Sequence, residues 1–317
     1  MTSPLTIVGL GEAVFDVFPD QAVLGGTSLN VAVQAHQLLE LMGGRGVLLS
    51  RIGGDDLGRR LQAEFQTRAL PLEYVQVDDV KPTGQVLVSF VGGAPRYEIV
   101  MDTAWDHLAY TDHEAVLARA CNAVSFGSMS QRHPTAHAAT QAFLAEAKSA
   151  LKIFDVNLRM DLFTADILAE GCRVANLVKL NDEEIETVAD LLELPAGAPQ
   201  ARVATLRERF DLEAVIFTRG EAGTTACTAA GWVEGAPAHY PTAPNADSVG
   251  AGDACTAALL LGRLLGRDWP ATLDLANGHA AYVASQPSAT PVLPPEVWAG
   301  YGLGPVRARL NMVGNSA

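Results

Sequence analysis

Short, nearly continuous apolar runs alternate with longer stretches rich in Ala and Leu along most of this 317-residue chain. Six of the short runs have the length and composition of parallel strands that are covered on both faces: Leu5–Gly9, Val47–Ile52, Ala123–Phe126, Lys152–Val156, Leu177–Leu180 and Ala214–Thr218. The longer stretches predict helices, among them Leu29–Leu41, Gly58–Arg68, Thr135–Leu151 and Glu183–Leu192. This alternation is typical of the α/β class and predicts an open, mostly parallel sheet with helices on both faces.

Two segments interrupt this alternation, because neither shows a helical period: Glu12–Gly25 and Leu72–Ile99. The second contains Gln85–Val91, which is rich in Val and Phe and typical of a strand. Turn-forming residues flank that strand: Pro82, Gly84, Gly92, Gly93 and Pro95. We predict a single domain over residues 1–317, with a small β-sheet lid formed by about 12–25 and 72–99. The alternative is that these strands extend the edge of the main sheet.

The chain is acidic, with a formal net charge of −14 at pH 7. A field of that sign repels nucleic acid and anionic lipid, so we expect neither nucleic acid nor a membrane as a partner. ATP is also an anion, so any phosphate site in this chain must be built locally. Backbone N–H groups at the start of a helix are one local source of positive potential.

The cysteines and the N-terminus bear on the cellular compartment. Cys121, Cys172, Cys227 and Cys255 form no C-x-x-C pair, so neither a zinc knuckle nor a redox motif is recognisable. Scattered cysteines in a chain of this length suit a reducing compartment. The first residues lack the basic segment and the long apolar run of a signal peptide, and no apolar stretch of about 18 residues predicts a membrane span. We therefore expect a cytoplasmic protein.

The strongest local signal for chemistry is the run Asp247–Ala254 (DSVGAGDA), which precedes an apolar helix predicted over Cys255–Leu265. The glycines of Gly250–Gly252 allow a tight turn and leave the backbone N–H groups unshielded. At a helix N-terminus these N–H groups point the same way and form an anion hole. A carboxylate at Asp253 would lie beside the bound anion and accept a proton from an attacking hydroxyl. The alternative is that Asp253 only caps the helix.

This run resembles the D-[TS]-x-G-A-G-D signature of the ribokinase-like (PfkB) family of carbohydrate kinases, and further landmarks of that family follow in the right order over essentially the whole chain. The resemblance implies a ribokinase-like fold and transfer of the γ-phosphoryl group of ATP to a sugar hydroxyl. It also implies that Asp253 is the catalytic base. Gly250, Ala251 and Gly252 would then form the anion hole, with Gly252 also contacting ATP.

The resemblance implies a sugar site in the first part of the chain. Residues 25–30 (GGTSLN) are similar to the family's N-terminal signature, in which Gly25, Gly26 and Asn30 hold sugar hydroxyls. Independently, two glycines permit close backbone approach, and Asn30 offers both a donor and an acceptor to a polyol. Asp16 resembles the family's sugar-binding Asp, and Arg51–Gly58 resembles its G-x-D-x-x-G turn. Each feature has an alternative. Residues 25–30 could form an ordinary helix cap, Asp16 could be a solvated strand residue, and Arg51–Gly58 could be a plain strand-to-helix turn.

Residues 155–159 (DVNLR) end a predicted strand, where open α/β sheets bind their ligands. Asn157 and Arg159 alternate with two apolar residues, so we expect both polar side chains to face the cleft and to bind substrate. The alternative for Arg159 is a buried ion pair with Asp155.

Residues 181–184 (NDEE) resemble the family's N-x-x-E motif, which implies that Asn181 and Glu184 hold Mg²⁺ through water and that Asn181 also contacts ATP. A helix cap is compatible with the same residues.

Two further sites follow from the resemblance. Residues 218–223 resemble its T-x-G-x-x-G turn, so Thr218, Gly220 and Gly223 are expected to bind ATP. The resemblance extends to a K⁺ site at Asp247, although the partner loop Ser285–Thr290 lacks the usual Gly-Ala pair.

Met101–Asp106 and Phe126–Arg132 are similar to the fructokinase-like members of the family, which makes fructose the predicted acceptor. 2-Keto-3-deoxygluconate and ribose are the alternative acceptors. An alternative of another class is a non-catalytic sugar-binding protein on the same fold, against which the presence of Asp253 argues. A nicotinamide dehydrogenase would rest only on Gly9-x-Gly11, which no predicted helix follows.

The apolar pattern of the predicted lid indicates a homodimer. Val86, Val88 and Phe90 alternate with Leu87 and Val91, so both sides of the predicted lid are apolar. An apolar outer side needs a cover, and in many members of the family the lids pack against each other across a dimer.

Overall fold

The computed structural model describes residues 4–91 and 94–303. Within these ranges the strands, in chain order, are β1 (Thr6–Leu10), β2 (Val14–Val17), β3 (Ala22–Gly25), β4 (Arg45–Gly53), β5 (Val75–Asp78), β6 (Gly84–Val91), β7 (Ala94–Ile99), β8 (Ala123–Gly127), β9 (Leu151–Asp155), β10 (Leu177–Asn181), β11 (Ala214–Thr218), β12 (Thr224–Thr228) and β13 (Gly231–Glu234). The predicted turn residues Gly92 and Gly93 lie outside the described residues.

The α-helices in the same ranges are α1 (Thr27–Leu39), α2 (Asp56–Thr67), α3 (Asp112–Ala120), α4 (Pro134–Glu146), α5 (Ala165–Val174), α6 (Glu184–Leu191), α7 (Pro199–Arg209), α8 (Ala251–Leu264), α9 (Trp269–Ala284) and α10 (Pro295–Gly300). No helix of these ranges is both long and apolar enough to cross a bilayer. The predicted helix Thr135–Leu151 is too long, because α4 ends at Glu146 and the backbone N–H of Leu151 donates to Asn122 as β9 begins.

The main sheet has nine strands in the order β13-β12-β11-β10-β9-β8-β1-β4-β5. Neighbours from β11 to β5 run parallel, whereas β12 and β13 are antiparallel additions at one edge. All six strands predicted from apolar runs lie in the parallel part, so the predicted α/β class and mostly parallel sheet are confirmed. The parallel arrangement brings the carboxyl ends of β1, β8, β9, β10 and β11 to one edge, where such sheets bind ligands.

Apolar layers cover both faces of this sheet, which explains why its strands are continuously apolar. In β9, Phe154 packs into the layer formed with α3 to α7, and its neighbour Ile153 packs into the layer formed with α1, α8 and α9. In β10, Val178 packs into the layer formed with α3 to α7, and Leu177 packs into the layer formed with α1, α8 and α9. The layer of α1 and α8 matters most for the site, because both helices begin at the ligand-binding edge.

A second, four-stranded sheet in the order β3-β2-β6-β7 corresponds to the predicted lid and is called the lid below. Its first segment agrees with the predicted Glu12–Gly25, but the second is shorter than the predicted Leu72–Ile99. Val75–Asp78 pairs with β4 in the main sheet instead, so the alternative of an added edge strand holds for this part. The lid therefore consists of β2, β3, β6 and β7 and leaves the body of the protein at the end of β1.

Candidate active site

The residues of the predicted anion hole lie at the start of α8. Gly250 is the N-cap residue, with a left-handed φ of 80°, which favours glycine. Residue 289 lies so close that a Cβ added at Gly250 would be 2.5 Å from the Ala289 carbonyl oxygen. Gly252 and Asp253 belong to the first turn, whose N–H groups have no acceptor within the helix. An anion at this end of α8 therefore meets unshielded N–H donors.

Asp253 lies in that first turn and contacts the N-terminal signature. The Asn30 side-chain amide donates from Nδ2 to Asp253 Oδ2 at 2.8 Å. Burial, reinforced by the negative charge of Asp155, raises the pKa of Asp253 to about 7, against the opposing effects of the Asn30 hydrogen bond and of Lys179. A carboxyl group with this pKa accepts and releases a proton near neutral pH, as general-base catalysis requires.

A buried charge pair lies beneath Asp253. Lys179 Nζ contacts Asp155 Oδ2 at 2.7 Å, and the Thr256 hydroxyl donates to the same oxygen at 2.9 Å. Lys179 Nζ is also only 3.6 Å from the place that a Cβ at Gly252 would occupy. Because Gly252 has no side chain, the Lys179 ammonium group lies close to the predicted anion hole.

Sequence reasoning missed Lys179, although a signal was present. Lys179 is the one charged residue in the otherwise apolar run LVKL of β10, and charged side chains are rarely buried unless they are paired. The predicted alternative, an ion pair between Asp155 and Arg159, is wrong because Asp155 pairs with Lys179.

The sugar-binding prediction for Arg159 rests on an alternation that the structure does not continue. β9 ends at Asp155, and Asn157 adopts a left-handed φ of 38°, so the chain turns after the strand. Arg159 is exposed and its guanidinium donates to the Leu158 carbonyl. Asn157, in contrast, reaches the start of α1, where its Nδ2 donates to the Thr27 hydroxyl at 2.5 Å.

The other predicted sugar residues lie together between the lid and α1. A Cβ added at Gly25 would lie 3.4 Å from Asp16 Oδ2, and Gly26 caps α1 with a φ of 107°. Burial raises the pKa of Asp16. Asn30 is buried, and its Oδ1 has no hydrogen-bond partner among the described residues. This acceptor beside Asp253 is available to a hydroxyl donor, and buried polar atoms are usually paired.

Glu12 also supports this region, although the sequence analysis assigned it no role. Its carboxylate accepts the backbone N–H of Thr27 at 3.0 Å and contacts the Ser28 hydroxyl at 3.4 Å. Burial raises the pKa of this carboxyl. A buried acidic side chain thus holds the N-terminus of α1, where the helix dipole favours negative charge.

The N-x-x-E residues cap a helix. Asn181 Oδ1 accepts the backbone N–H groups of Glu183 and Glu184 at 2.9 and 2.8 Å. The Glu184 carboxylate accepts the N–H of Asn181 and that of Leu158, each at 3.0 Å. The helix-cap alternative is therefore correct, and it leaves the magnesium role as a prediction. Burial, followed by the charge of Asp155, raises the pKa of Glu184.

The predicted ATP turn lies at the end of β11. Gly220 and Gly223 adopt left-handed φ values of 55° and 81°, and the Thr218 hydroxyl contacts the Leu180 carbonyl at 3.4 Å. A Cβ at Gly223 would lie 3.3 Å from Nδ2 of Asn277 in α9. Asn277 is thus a further polar group at this turn, and no motif in the sequence marks it.

Asp247 is exposed, and its Oδ1 accepts the backbone N–H of Val249 at 3.0 Å. The surrounding loop is tied to the predicted partner loop, since Ala243 N donates to the Ser285 carbonyl and Asp247 N to the Gln286 carbonyl. The two loops named for K⁺ are therefore neighbours.

Two glycine patterns have structural explanations. Asp55 of the Arg51–Gly58 turn accepts the backbone N–H groups of Gly58 and Thr83, so it joins α2 to the strand that enters the lid. In Gly9-x-Gly11, α1 packs so closely on β1 that a Cβ at Gly9 would lie 2.0 Å from the Ser28 carbonyl oxygen. No helix follows Gly11, so this pattern is not a dinucleotide-binding loop.

Comparisons with known proteins agree with this geometry. A family model described as "pfkB family carbohydrate kinase" matches residues 11–296. The chain is 28% identical over 265 residues to the fructokinase of Salmonella typhimurium, covering 79% of this chain and 82% of the relative. It is 29% identical over 266 residues to the 2-dehydro-3-deoxygalactonokinase of Haloferax volcanii, covering 80% and 79%. The crystal structure of Xylella fastidiosa fructokinase with bound ATP superposes with a TM-score of 0.81 at 20% identity, over 93% of this chain and 97% of that one.

Proposed function

The chain belongs to the pfkB family of carbohydrate kinases and is therefore a sugar kinase, and from that premise we propose that it phosphorylates fructose at the expense of ATP, with Asp253 as the general base. The observation that carries the proposal is the contact between Asn30 and Asp253 at the N-terminus of α8. It joins the predicted sugar site to the predicted phosphate site, 223 residues apart in the chain.

Phosphoryl transfer at this site needs few covalent roles from the protein. The sugar hydroxyl oxygen bonds to the γ-phosphorus, the bond from that phosphorus to the bridging oxygen of ADP breaks, and the hydroxyl proton passes to Asp253. The N–H groups of the first turn of α8 hold the phosphoryl oxygens, and Lys179 adds positive charge from below. Asn30 orients Asp253 through Nδ2 and accepts a sugar hydroxyl at Oδ1, which no described residue of the chain contacts by a hydrogen bond.

The magnesium that the family implies fits the residues present. Glu184 spends one lone pair of each carboxylate oxygen on a backbone N–H, which leaves further lone pairs for water. Within the described part of the chain, no group of three or more His, Cys, Asp or Glu is arranged to hold a metal ion. Asn181 and Glu184 therefore suit an ion that keeps most of its water, and its chemistry would be to neutralise the β- and γ-phosphates.

A K⁺ site would use the Asp247 loop and the facing loop that begins at Ser285. Both Ser285 and Gln286 direct backbone carbonyls toward the Asp247 loop. Activity in K⁺ compared with N-methylglucamine at equal ionic strength tests this part of the proposal, and equal rates would exclude it.

A neutral sugar fits the site better than a sugar acid, and this separates fructose from the 2-keto-3-deoxy acids that the Haloferax relative suggests. The side chains gathered near α1 are acidic or uncharged: Glu12, Asp16, Asn30 and Asn157. The one predicted cation, Arg159, is exposed and bound to its neighbouring carbonyl. An acceptor carboxylate would meet repulsion from Asp16, and the buried cation of the site, Lys179, is already paired with Asp155.

The lid is the proposed dimer interface. Exposed apolar side chains lie on both of its faces: Val23 and Tyr97 on the face of Asp16, and Leu87 on the opposite face. Val88 is buried at 4% exposure within one chain, so it is unsuitable as an interface probe. The side chains of Phe90 and Val91, which entered the prediction, lie outside the described residues.

A coupled ADP-release assay over fructose, ribose, 2-keto-3-deoxygluconate and 2-keto-3-deoxygalactonate tests the substrate. We expect the highest kcat/KM with fructose. A higher kcat/KM with either sugar acid would overturn the choice of fructose, and ATP turnover with none of the four would overturn the substrate class.

A further inference from the structure

A network of buried, hydrogen-bonded polar side chains crosses the otherwise apolar layer between α1 and α9. His279 Nε2 lies 2.9 Å from Gln34 Oε1, and Gln34 Nε2 donates to the Ala289 carbonyl at 2.9 Å. His279 Nδ1 lies 3.4 Å from the hydroxyl of Tyr301. Gln34 and His279 have no exposed surface at all. Polar side chains in such a layer weaken hydrophobic packing unless every group is paired, so their presence calls for a role.

The direction of each hydrogen bond follows from the chemistry of the groups. Complete burial lowers the pKa of His279 to about 3, so its ring is neutral and carries one N–H. Gln34 offers an acceptor to this ring, so Nε2 of His279 holds the proton and Nδ1 is an acceptor. The Tyr301 hydroxyl lies 3.4 Å from Nδ1 and also 3.4 Å from the Gly278 carbonyl, to which it donates. This arrangement fixes the Gln34 amide with its NH₂ toward Ala289. A flipped amide would place its oxygen against the Ala289 carbonyl oxygen.

Ala289 connects this network of hydrogen bonds to the predicted anion hole. The same carbonyl oxygen that accepts from Gln34 would be 2.5 Å from a Cβ at Gly250, so residue 289 lies directly against the N-cap of α8. Gly250 in turn sets where the first-turn N–H groups of α8 begin. Displacing Ala289 would therefore displace the donors that hold the phosphoryl group.

Gln34 is four residues after Asn30, so the two side chains lie on the same face of α1. Asn30 contacts the carboxylate of Asp253, and Gln34 supports the neighbour of Gly250. α1 thus supports the first turn of α8 at two points. Asn30 contacts Asp253 directly, and Gln34 acts on Gly250 through Ala289.

We propose that Gln34, oriented by His279, is a positioning residue that keeps Ala289 against Gly250 and so keeps the anion hole in register with the sugar held by α1. This inference rests on the proposed kinase function. In this role Gln34 does not contact the substrate. Substitution of Gln34 should therefore reduce the rate of phosphoryl transfer and leave sugar affinity unchanged. A misplacement of about 1 Å in a reactive site can reduce turnover by about 10²-fold.

The chain contains a matched control for this test. Gln37, one turn further along α1, donates to the Pro291 carbonyl at 3.0 Å and accepts the N–H of Leu293 at 2.8 Å. It therefore ties the same loop to the same helix, but beyond the residue that touches Gly250. Leu replaces either glutamine with an apolar side chain of similar size.

Kinetics of Gln34→Leu, Gln37→Leu, His279→Leu and the Gln34→Leu/His279→Leu double variant decide the proposal. We expect Gln34→Leu to lower kcat about 10- to 100-fold with fructose affinity by calorimetry within about twofold, and Gln37→Leu to change neither value by more than about twofold. The double variant should lose no more kcat than Gln34→Leu alone, since His279 acts through Gln34.

Equal kcat losses in the two glutamine variants, an unchanged kcat in Gln34→Leu, or additive losses in the double variant would overturn the proposal. If Gln34→Leu does not fold, His279→Leu carries the same comparison with Gln37→Leu. A wild-type chain that turns over ATP with none of the sugars would instead overturn the proposed function, and binding of ADP to the same variants by calorimetry still reports whether Gln34 shapes the phosphate site.

Discussion

Burial is the main cause of the raised pKa of Asp253, and the charges of Asp155 and Lys179 then shift that pKa in opposite directions. If Asp253 is the proposed base, removing one or the other charge should therefore move the pH dependence of activity in opposite directions. An opposite charge within about 4–6 Å lowers a carboxyl pKa by about 1–3 units, and a like charge raises it. Lys179 lowers and Asp155 raises the pKa of Asp253, which lies at about 7 in the intact site. A base must be ionised to accept a proton, so kcat/KM should rise with pH through that value.

The perturbation is Lys179→Met, which removes the charge and keeps an unbranched side chain of similar length. We expect the acidic limb of the kcat/KM profile to move up by about one unit or more, so that at pH 7 the ionised fraction of Asp253 falls from about one half to about one tenth. Asp155→Asn should move the limb down. The Lys179→Met/Asp155→Asn double variant should return toward the wild-type limb, because both charges are then absent.

The assay is ADP release measured from pH 5 to pH 9 at saturating and subsaturating fructose, with thermal unfolding as the control. Lys179→Met should also unfold at lower temperature, because it leaves Asp155 buried without its cation, which typically costs about 3–5 kcal/mol. An acidic limb that stays in place in Lys179→Met, in a variant that is still folded, would refute the electrostatic reasoning. A limb that moves the same way in both single variants would refute it equally.

Three further outcomes are expected. Gly252→Val should reduce kcat by about 10²-fold or more with little change in fructose affinity by calorimetry, because its side chain would enter the anion hole; equal loss of sugar affinity would make the loop a folding element. Glu184→Gln should raise the Mg²⁺ concentration needed for half-maximal activity, and an unchanged Mg²⁺ profile would leave only the helix cap. If the wild-type chain is the proposed dimer in light scattering, Leu87→Asp should convert it to a monomer, and a dimer that persists would move the interface away from this face of the lid.

The parallel sheet was predictable because burial on both faces leaves a recognisable pattern in the sequence of each strand. A strand covered on both faces must be apolar at every position, and runs such as Ala214–Thr218 show it directly. Val75–Asp78 carries no such pattern, since it is a partly exposed edge strand. The sequence therefore assigned it to the lid, although its register with β4 places it in the main sheet.

The position of residues 250–253 at the start of a helix was predictable from the motif itself, and their role in phosphoryl transfer stays a prediction. Partnerships between distant residues were not predictable in the same way. Lys179 and Asp155 are 24 residues apart and meet because β9 and β10 are parallel neighbours in register. The pairing of Gln34 with Ala289 spans 255 residues. Such contacts depend on strand order and helix packing, which the local pattern of a segment does not contain.

Asp253→Asn compared with Asp268→Asn tests the central claim most directly. Both aspartates lie at the start of a helix, but Asp268 is a true cap whose carboxylate accepts the N–H of Ala271 at 2.9 Å. Asn caps a helix about as well as Asp, so Asp268→Asn should fold. Asp253→Asn should fold too, because Asn has nearly the shape of Asp and places no additional charge in this buried position. We expect Asp253→Asn to lose about 10²–10⁴-fold in kcat and Asp268→Asn to keep wild-type kcat within about twofold. A folded Asp253→Asn that retains most of the wild-type kcat would contradict the role of Asp253 as the catalytic base.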